Sequence, residues 1–213
     1  MVTPQSATQC LLDVYSRLAE GNRHLFQGIL QGRQPVEWDH YPENDAVDRL
    51  NGYQWFYHTH SATDRPGVTE HGHLHLFAKR KLWSHRLRSQ AETAFCNIAG
   101  AAPVKAATAH LLAISFDAKG LPVGLFTVNS QVTGDRILNA RLTEELISKV
   151  KLDTGFPEVD RVIECLARLC NADIRQLLAE RDAAVGNSRK KLSAEVAEIE
   201  VLSEINIDLD SRL

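Results

Sequence analysis

Residues 53–79 read YQWFYHTHSATDRPGVTEHGHLHLFAK, and their alternation decides the fold. Tyr53–His60 and His71–Lys79 are rich in aromatic and branched side chains. They flank a loop containing Asp64, Arg65, Pro66 and Gly67, which predicts an antiparallel hairpin. Strand side chains alternate between faces, so His58 and His60 project together, as do His71, His73 and His75. Pairing His60 with His71 sets His58 opposite His73 and Phe56 opposite His75, with all five imidazoles on one face. The other face carries Tyr53, Trp55, Tyr57, Leu74 and Leu76. That is a packing surface, worth roughly 1.5–3 kcal/mol for each aliphatic residue it fully buries.

Working outward, HLLAISFD (110–117) and LPVGLFTVN (121–129) flank the compact turn DAKG and predict a second hairpin. Two isolated ribbons would leave apolar faces and open edges, so both hairpins are expected in one sheet. Helical spacing governs Ser6–Leu30, with Ser6 as a cap and an interruption at Gly21-Asn22; it returns over 135–150 and 157–185, with Pro157 at a helix start and Asn171 at a break. Residues 31–52 are polar and turn-rich, with room for a short helix near Asp45–Leu50. In VTGDR (132–136), Thr133 or Asp135 is expected to cap the next helix and Gly134 to relax the turn. The predicted class is α+β: an antiparallel sheet of four or more strands built from two hairpins and packed by N- and C-terminal helices. Residues 1–186 form one domain in this reading, and 187–213 a charged helix or mobile tail.

Five of the nine histidines fall between His58 and His75. Crowded imidazoles have no packing advantage over aliphatic groups, so that face is expected to have another task. Ring nitrogens from adjacent strands can converge on one transition-metal ion, with zinc or iron the leading choices. The inner ligands expected are His58, His73 and His75, ahead of His71, with His60 a further candidate. Glu70 can complete the shell if the loop end turns it back, since its strand parity points it away. If Phe116 pairs with Leu121, His110 lies opposite Thr127 with Asn129 on the same face, and those three become accessory candidates. Imidazoles can also stack and hydrogen-bond across strands with no ion. The competing reading is therefore a metal-free ligand-binding or oligomeric structural protein.

Composition narrows the classes. The chain has 213 residues, 44% of them hydrophobic, and a formal charge of -3, with a pI near 6.3. It can bury a sizeable core and has no global attraction for nucleic acid. Lys79, Arg80, Lys81, Arg86 and Arg88 form a local basic segment able to contact an anion, but no nucleic-acid module accompanies it. Neither a Walker loop nor a dinucleotide fingerprint occurs, so ATP and NAD have no signal. The N-terminus lacks the basic flank and apolar run of a leader or membrane span, so a cytoplasmic protein without a membrane role is expected. Cys10, Cys96, Cys165 and Cys170 match no zinc knuckle and read as buried free thiols. The expected partners are a small-molecule substrate and further copies of the chain.

YHTH, RPG, EHGHLHLF and the later HLLAISFDAKGLPVGLFTVNSQVTG resemble an uncharacterised bacterial domain family with an E-H-G-H-x-H-x-F core and a T-x-N-x-x-V-T-G element. The resemblance spans Tyr53 to Gly134 and more weakly the helices beyond. It singles out His58, His60, Glu70, His71, His73, His75, Asn129, Thr133 and Gly134, and implies no particular reaction. Ser130-Gln131 stand where the family has a bulkier, partly aromatic pair, which implies a different pocket mouth.

Overall fold

The computed structural model describes residues 4–60, 70–99, 106–190 and 199–211. The loop expected around Asp64–Gly67, Gly100 and part of 187–213 lie outside them. Helix α1 spans Pro4–Glu20 and the single turn α2 spans Gln27–Leu30. Three strands follow: β1 (Tyr41–Val47), β2 (Tyr53–His58) and β3 (Gly72–Lys79). After α3 (Arg80–Trp83), a 3-10 turn at Ser84–Arg86 and α4 (Gln90–Ala99) come β4 (Thr108–Phe116) and β5 (Pro122–Val128). The chain continues through α5 (Ser130–Thr133), α6 (Ala140–Ser148), α7 (Pro157–Leu169) and α8 (Asn171–Lys190), and ends in β6 (Val201–Asn206).

All six strands form one antiparallel sheet in the order β1-β2-β3-β4-β5-β6. The two expected hairpins, β2-β3 and β4-β5, are joined by the β3-β4 ladder. The α+β class and the sharing of one sheet are as the sequence predicts. So is the central register, His58 opposite His73 and Phe56 opposite His75.

The helices cover one face. Leu11, Val14 and Leu18 of α1, Val162, Ile163 and Leu166 of α7, and Ile174, Leu177 and Leu178 of α8 share a core with Trp55, Tyr57, Leu74, Leu76, Ile114 and Leu125 of the sheet. Polar tips on this face find partners, as buried donors must: Trp55 Nε1 donates to Asp160 at 2.8 Å and the Tyr53 hydroxyl to the Leu146 carbonyl at 2.9 Å. Gly72 belongs to this close packing. A Cβ there would strike the Tyr57 hydroxyl and come within 2.7 Å of the His58 carbonyl oxygen, so the glycine lets β2 and β3 seat side by side.

Several local expectations are corrected. Helix α1 starts at Pro4, so Ser6 lies inside it and not at its start; the helix ends at Glu20, and Asn22 turns at φ +48°. Asp45–Leu50 is no helix. Tyr41–Val47 pairs with β2 through an irregular stretch, and Asp48 caps the following turn by accepting from Asn51 N at 2.8 Å. The helical pattern expected over 135–150 begins only at Ala140, because Arg136 bridges to Ala109 and the Asn139 side chain caps α6 by accepting from Leu142 N. Thr133 ends α5, and Gly134 at φ +72° is the left-handed residue that closes it. Finally, 201–206 is an edge strand, not a helix or loose tail. The alternation Ile199, Val201, Ser203, Ile205, Ile207 carries that signal.

Candidate metal centre

The face away from the helices carries the histidines. β2 supplies Phe56 and His58, β3 supplies His73 and His75, and β5 supplies Phe126, whose ring meets His73 edge-on at 4.9 Å. His58, His73 and His75 are buried and offer ligating atoms that all lie within 4.8 Å of one another, a group able to hold a metal ion. His58 Nε2 is 2.6 Å from His73 Nε2, and His60 Nε2 approaches the same atom at 3.3 Å.

The remote nitrogens are engaged. His73 Nδ1 lies 3.1 Å from Glu70 Oε1, and Ser115 Oγ donates to Glu70 Oε2 at 2.5 Å. His75 Nδ1 lies 2.9 Å from His110 Nε2. Such contacts orient a ring and direct its other nitrogen into the site, as partners of metal-bound histidines do. Glu70 thus reaches the cluster despite its strand parity, because it precedes the first residue of β3 and is free of the pleat.

Bulges place two further side chains. Between β3 and β4 the register slips so that Leu76 faces Leu112 but Phe77 faces His110. One extra residue, Leu111, therefore swings His110 onto the histidine face. A second slip, between β5 and β6, sets Val128 opposite Val201 and brings Val201 against Phe126 and Val128. The β4–β5 ladder slips as well, between Ser115 and Phe116, setting Phe116 opposite Pro122 and Ser115 opposite Gly124, which overturns the expected pairing of His110 with Thr127. Thr127 faces Ser203, with their hydroxyls 2.7 Å apart, on the helix-covered side that alternation assigns to Leu125. Thr127 is therefore no accessory to the cluster.

The remaining candidates lie apart. His71 is exposed, its backbone N–H donating to the Phe116 carbonyl, and it stands beyond the paired part of β3 where the pleat no longer aims it inward. Asn129 precedes α5 and donates to the Ile199 carbonyl at 3.3 Å, tying β5 to the approach of β6. In the basic segment, Arg80 lies over Trp83 at 5.6 Å, Lys81 donates to the Arg49 and Leu50 carbonyls, and Arg86 pairs with Glu145 at 3.0 Å. Lys79 ends β3, and Arg88 is exposed. Cys165 and Cys170 are buried free thiols, whereas Cys10 and Cys96 are half-buried.

Burial controls the charge of the cluster. It pushes His58 down to about 2, with His73, His60 and His40 adding to the effect and Glu70 opposing it. His75 is held well below its ordinary value by burial first and then by the rings of His73 and His110. His110 is held at about 3 by burial, then by Arg181 and His73. These rings are neutral near pH 7, which is the ligating form of imidazole.

A cavity of about 440 Å³ opens over the cluster. Its lining includes Gln131, Val132 and Thr133 of α5, and also Trp38 and His40 from the segment before β1 and Glu200 before β6, to which the sequence assigned no role. His40 stacks on Phe56 at 3.6 Å and contacts Asp45 at 3.3 Å. Trp38 meets His60 edge-on at 4.2 Å and is 58% exposed. Its φ of +69° is rare for a bulky residue and is held by its N–H donating to the Thr59 carbonyl. An aromatic and a histidine in an otherwise turn-rich stretch were the one visible signal.

A family model matches residues 5–207, nearly the whole chain. The chain belongs to the family described as Domain of unknown function (DUF6969). Assignment to this DUF6969 family agrees with the resemblance read from the sequence and brings no activity with it. No curated protein and no solved structure matches the chain. Among the described residues, no helix is long and apolar enough to cross a membrane.

Proposed function

We propose that this protein binds one transition-metal ion, zinc or iron, through His58, His73 and His75, and that a small-molecule substrate reaches the ion from the cavity. The observation that carries the reading is the convergence of three buried rings, two of which, His73 and His75, already have partners at their remote nitrogens. Two nitrogens on one tetrahedral zinc, each at roughly 2.0–2.1 Å, lie about 3.3 Å apart. The His60–His73 spacing of 3.3 Å meets that value, and the 2.6 Å between His58 and His73 needs only a small opening.

The chain's own residues then have defined tasks. Glu70 takes the Nδ1 proton of His73 in a hydrogen bond and leaves Nε2 to ligate, while Ser115 steadies the carboxylate. His110 accepts from His75 Nδ1, which selects the tautomer with a lone pair at Nε2. Phe56 and Phe126 keep water from the inner rings. His60, at the open side, is a fourth ligand or the first contact of an incoming molecule. A bound zinc supplies Lewis acidity at this position, and a bound ferrous iron supplies redox chemistry.

Elemental analysis of protein purified without an affinity tag tests the proposal. Close to one equivalent of zinc or iron per chain is expected. Less than a tenth of an equivalent of every transition metal, with no uptake under reducing conditions, overturns it. One observation favours a metal-free alternative: a single N–H can bridge His58 and His73 at 2.6 Å. In that case chelators leave both structure and ligand binding unchanged.

A further inference from the structure

We infer that the cavity over the histidines takes an uncharged aromatic molecule carrying one nitrogen or oxygen donor. The donor half of this inference rests on the proposed metal ion; the aromatic half does not. At about 440 Å³ the cavity lies within the range of small-molecule sites, roughly 300–1,000 Å³. Its walls are rings: Trp38, His40, Phe56 and Phe126 surround the space in front of His58 and His73. Aromatic edges and faces attract another ring beyond what area alone provides.

Charge argues against an anionic ligand. Among the described residues the lining contains neither lysine nor arginine, and Glu200 is its one carboxylate. Among these described residues, a phosphate or dicarboxylate would meet that acid with no lysine or arginine to answer it. The nearby basic segment is turned elsewhere, with Lys81 on the Arg49 and Leu50 carbonyls and Arg86 on Glu145. The rim points the same way. Of the six large hydrophobic side chains left exposed among the described residues, Trp38 and Val132 line the cavity, whereas Leu12, Val36, Leu50 and Ile199 are not in its lining. Exposed apolar groups at the edge of an opening suit a ligand with an apolar body.

The test compares three probes by calorimetry on zinc-loaded and chelator-treated protein: 4-phenylimidazole (ring and donor), imidazole (donor alone) and phenyl phosphate (ring with an anionic head). Quenching of Trp38, the exposed tryptophan beside the buried Trp55 and Trp83, reports occupancy of the cavity. On loaded protein 4-phenylimidazole should bind at least tenfold more tightly than either other probe. Trp38→Ala should reduce that preference over imidazole at least threefold, and its exposed position spares the fold. Equal affinity for imidazole and 4-phenylimidazole, tighter binding of phenyl phosphate, or an unchanged preference in Trp38→Ala overturns the inference. Failure of the metal reading looks different. If no ion is retained, 4-phenylimidazole must still exceed imidazole tenfold on the metal-free protein; if it does, the aromatic site stands without the ion, and if it does not, both fall.

Discussion

On the helix-covered face of the sheet, Trp55, Tyr57, Leu74 and Leu76 are sealed against α1, α7 and α8, with the Trp55 N–H tied to α7 and the Tyr53 hydroxyl to α6. On the other face, His58, His73 and His75 are also buried, but by one another, by Phe56 and Phe126, and by the segment carrying Trp38. The apolar cluster there is small: Ala113, Phe126 and Val128, with Val201 against them. The same two strands thus bury rings for two purposes. One face gains stability from apolar area. The other gathers neutral nitrogens whose burial disfavours protonation and so opposes stability in acid.

The contrast can be broken first on the helix face. Trp55→Ala removes one of the two buried indole rings of that core and takes one donor from the Asp160 carboxylate, which keeps the Thr154 N–H and hydroxyl. It should lower unfolding free energy by about 3–5 kcal/mol in denaturant titration. A loss below about 1 kcal/mol would show that the helix face is not the stabilising one.

Acid should break the other face. His58, His75 and His110 have depressed values in the folded chain and an ordinary value near 6.5 when unfolded. The unfolded chain therefore binds more protons below that value. Stability is fully present above about pH 6.5 and is lost as pH falls toward the folded values, by about 1 kcal/mol per histidine over the first unit, or about 3 kcal/mol together. Denaturation of chelator-treated protein at pH 6.5 and 5.5 checks this; a flat profile would mean these rings are not buried neutral.

Gly72→Ala acts on both faces at once, since its Cβ meets the Tyr57 hydroxyl and the His58 carbonyl. It should cost about 1–3 kcal/mol and weaken metal retention in the same variant. A change in only one of the two would uncouple the faces.

Smaller and confined to the histidine face, His73→Ala should weaken metal retention at least tenfold in equilibrium competition with a chelating dye, with the helix-face core intact by near-UV circular dichroism. Glu70→Gln keeps an acceptor near His73 but removes the charge. Its effect should be the smallest, up to about tenfold, in line with losses of groups behind the ligands. If Glu70→Gln exceeds His73→Ala, Glu70 is itself a ligand.

The residues that were legible in the sequence are those governed by the two-residue period of a strand. Tyr53, Trp55 and Tyr57 fall on one side of β2 and Phe56 and His58 on the other whatever packs around them, so the pairing of His58 with His73 follows once the strands are antiparallel. That reasoning fails where the period is interrupted. Leu111 is an added residue between paired positions, and it sends His110 to the histidine face and Leu112 to the core, with no glycine or proline to announce it. The slip between Ser115 and Phe116 likewise breaks the expected pairing of His110 with Thr127. Glu70 and His71 stand at the strand's entrance, where parity no longer binds them.

By itself the sequence determined the class of fold, the central register and the segregation of histidines from large apolar groups, because these depend on local alternation and on the free energy of burying one side of a strand. Tertiary structure alone decided that Trp38 and His40 come over the cluster, that Glu70 and His110 hold the outer nitrogens, and that residues 201–206 close the sheet. Apart from Glu70, which lies three residues from His73 but is steadied by Ser115 of β4, each is a contact between segments distant in sequence, selected by bulges and edge pairing whose energies exist only once the sheet has formed.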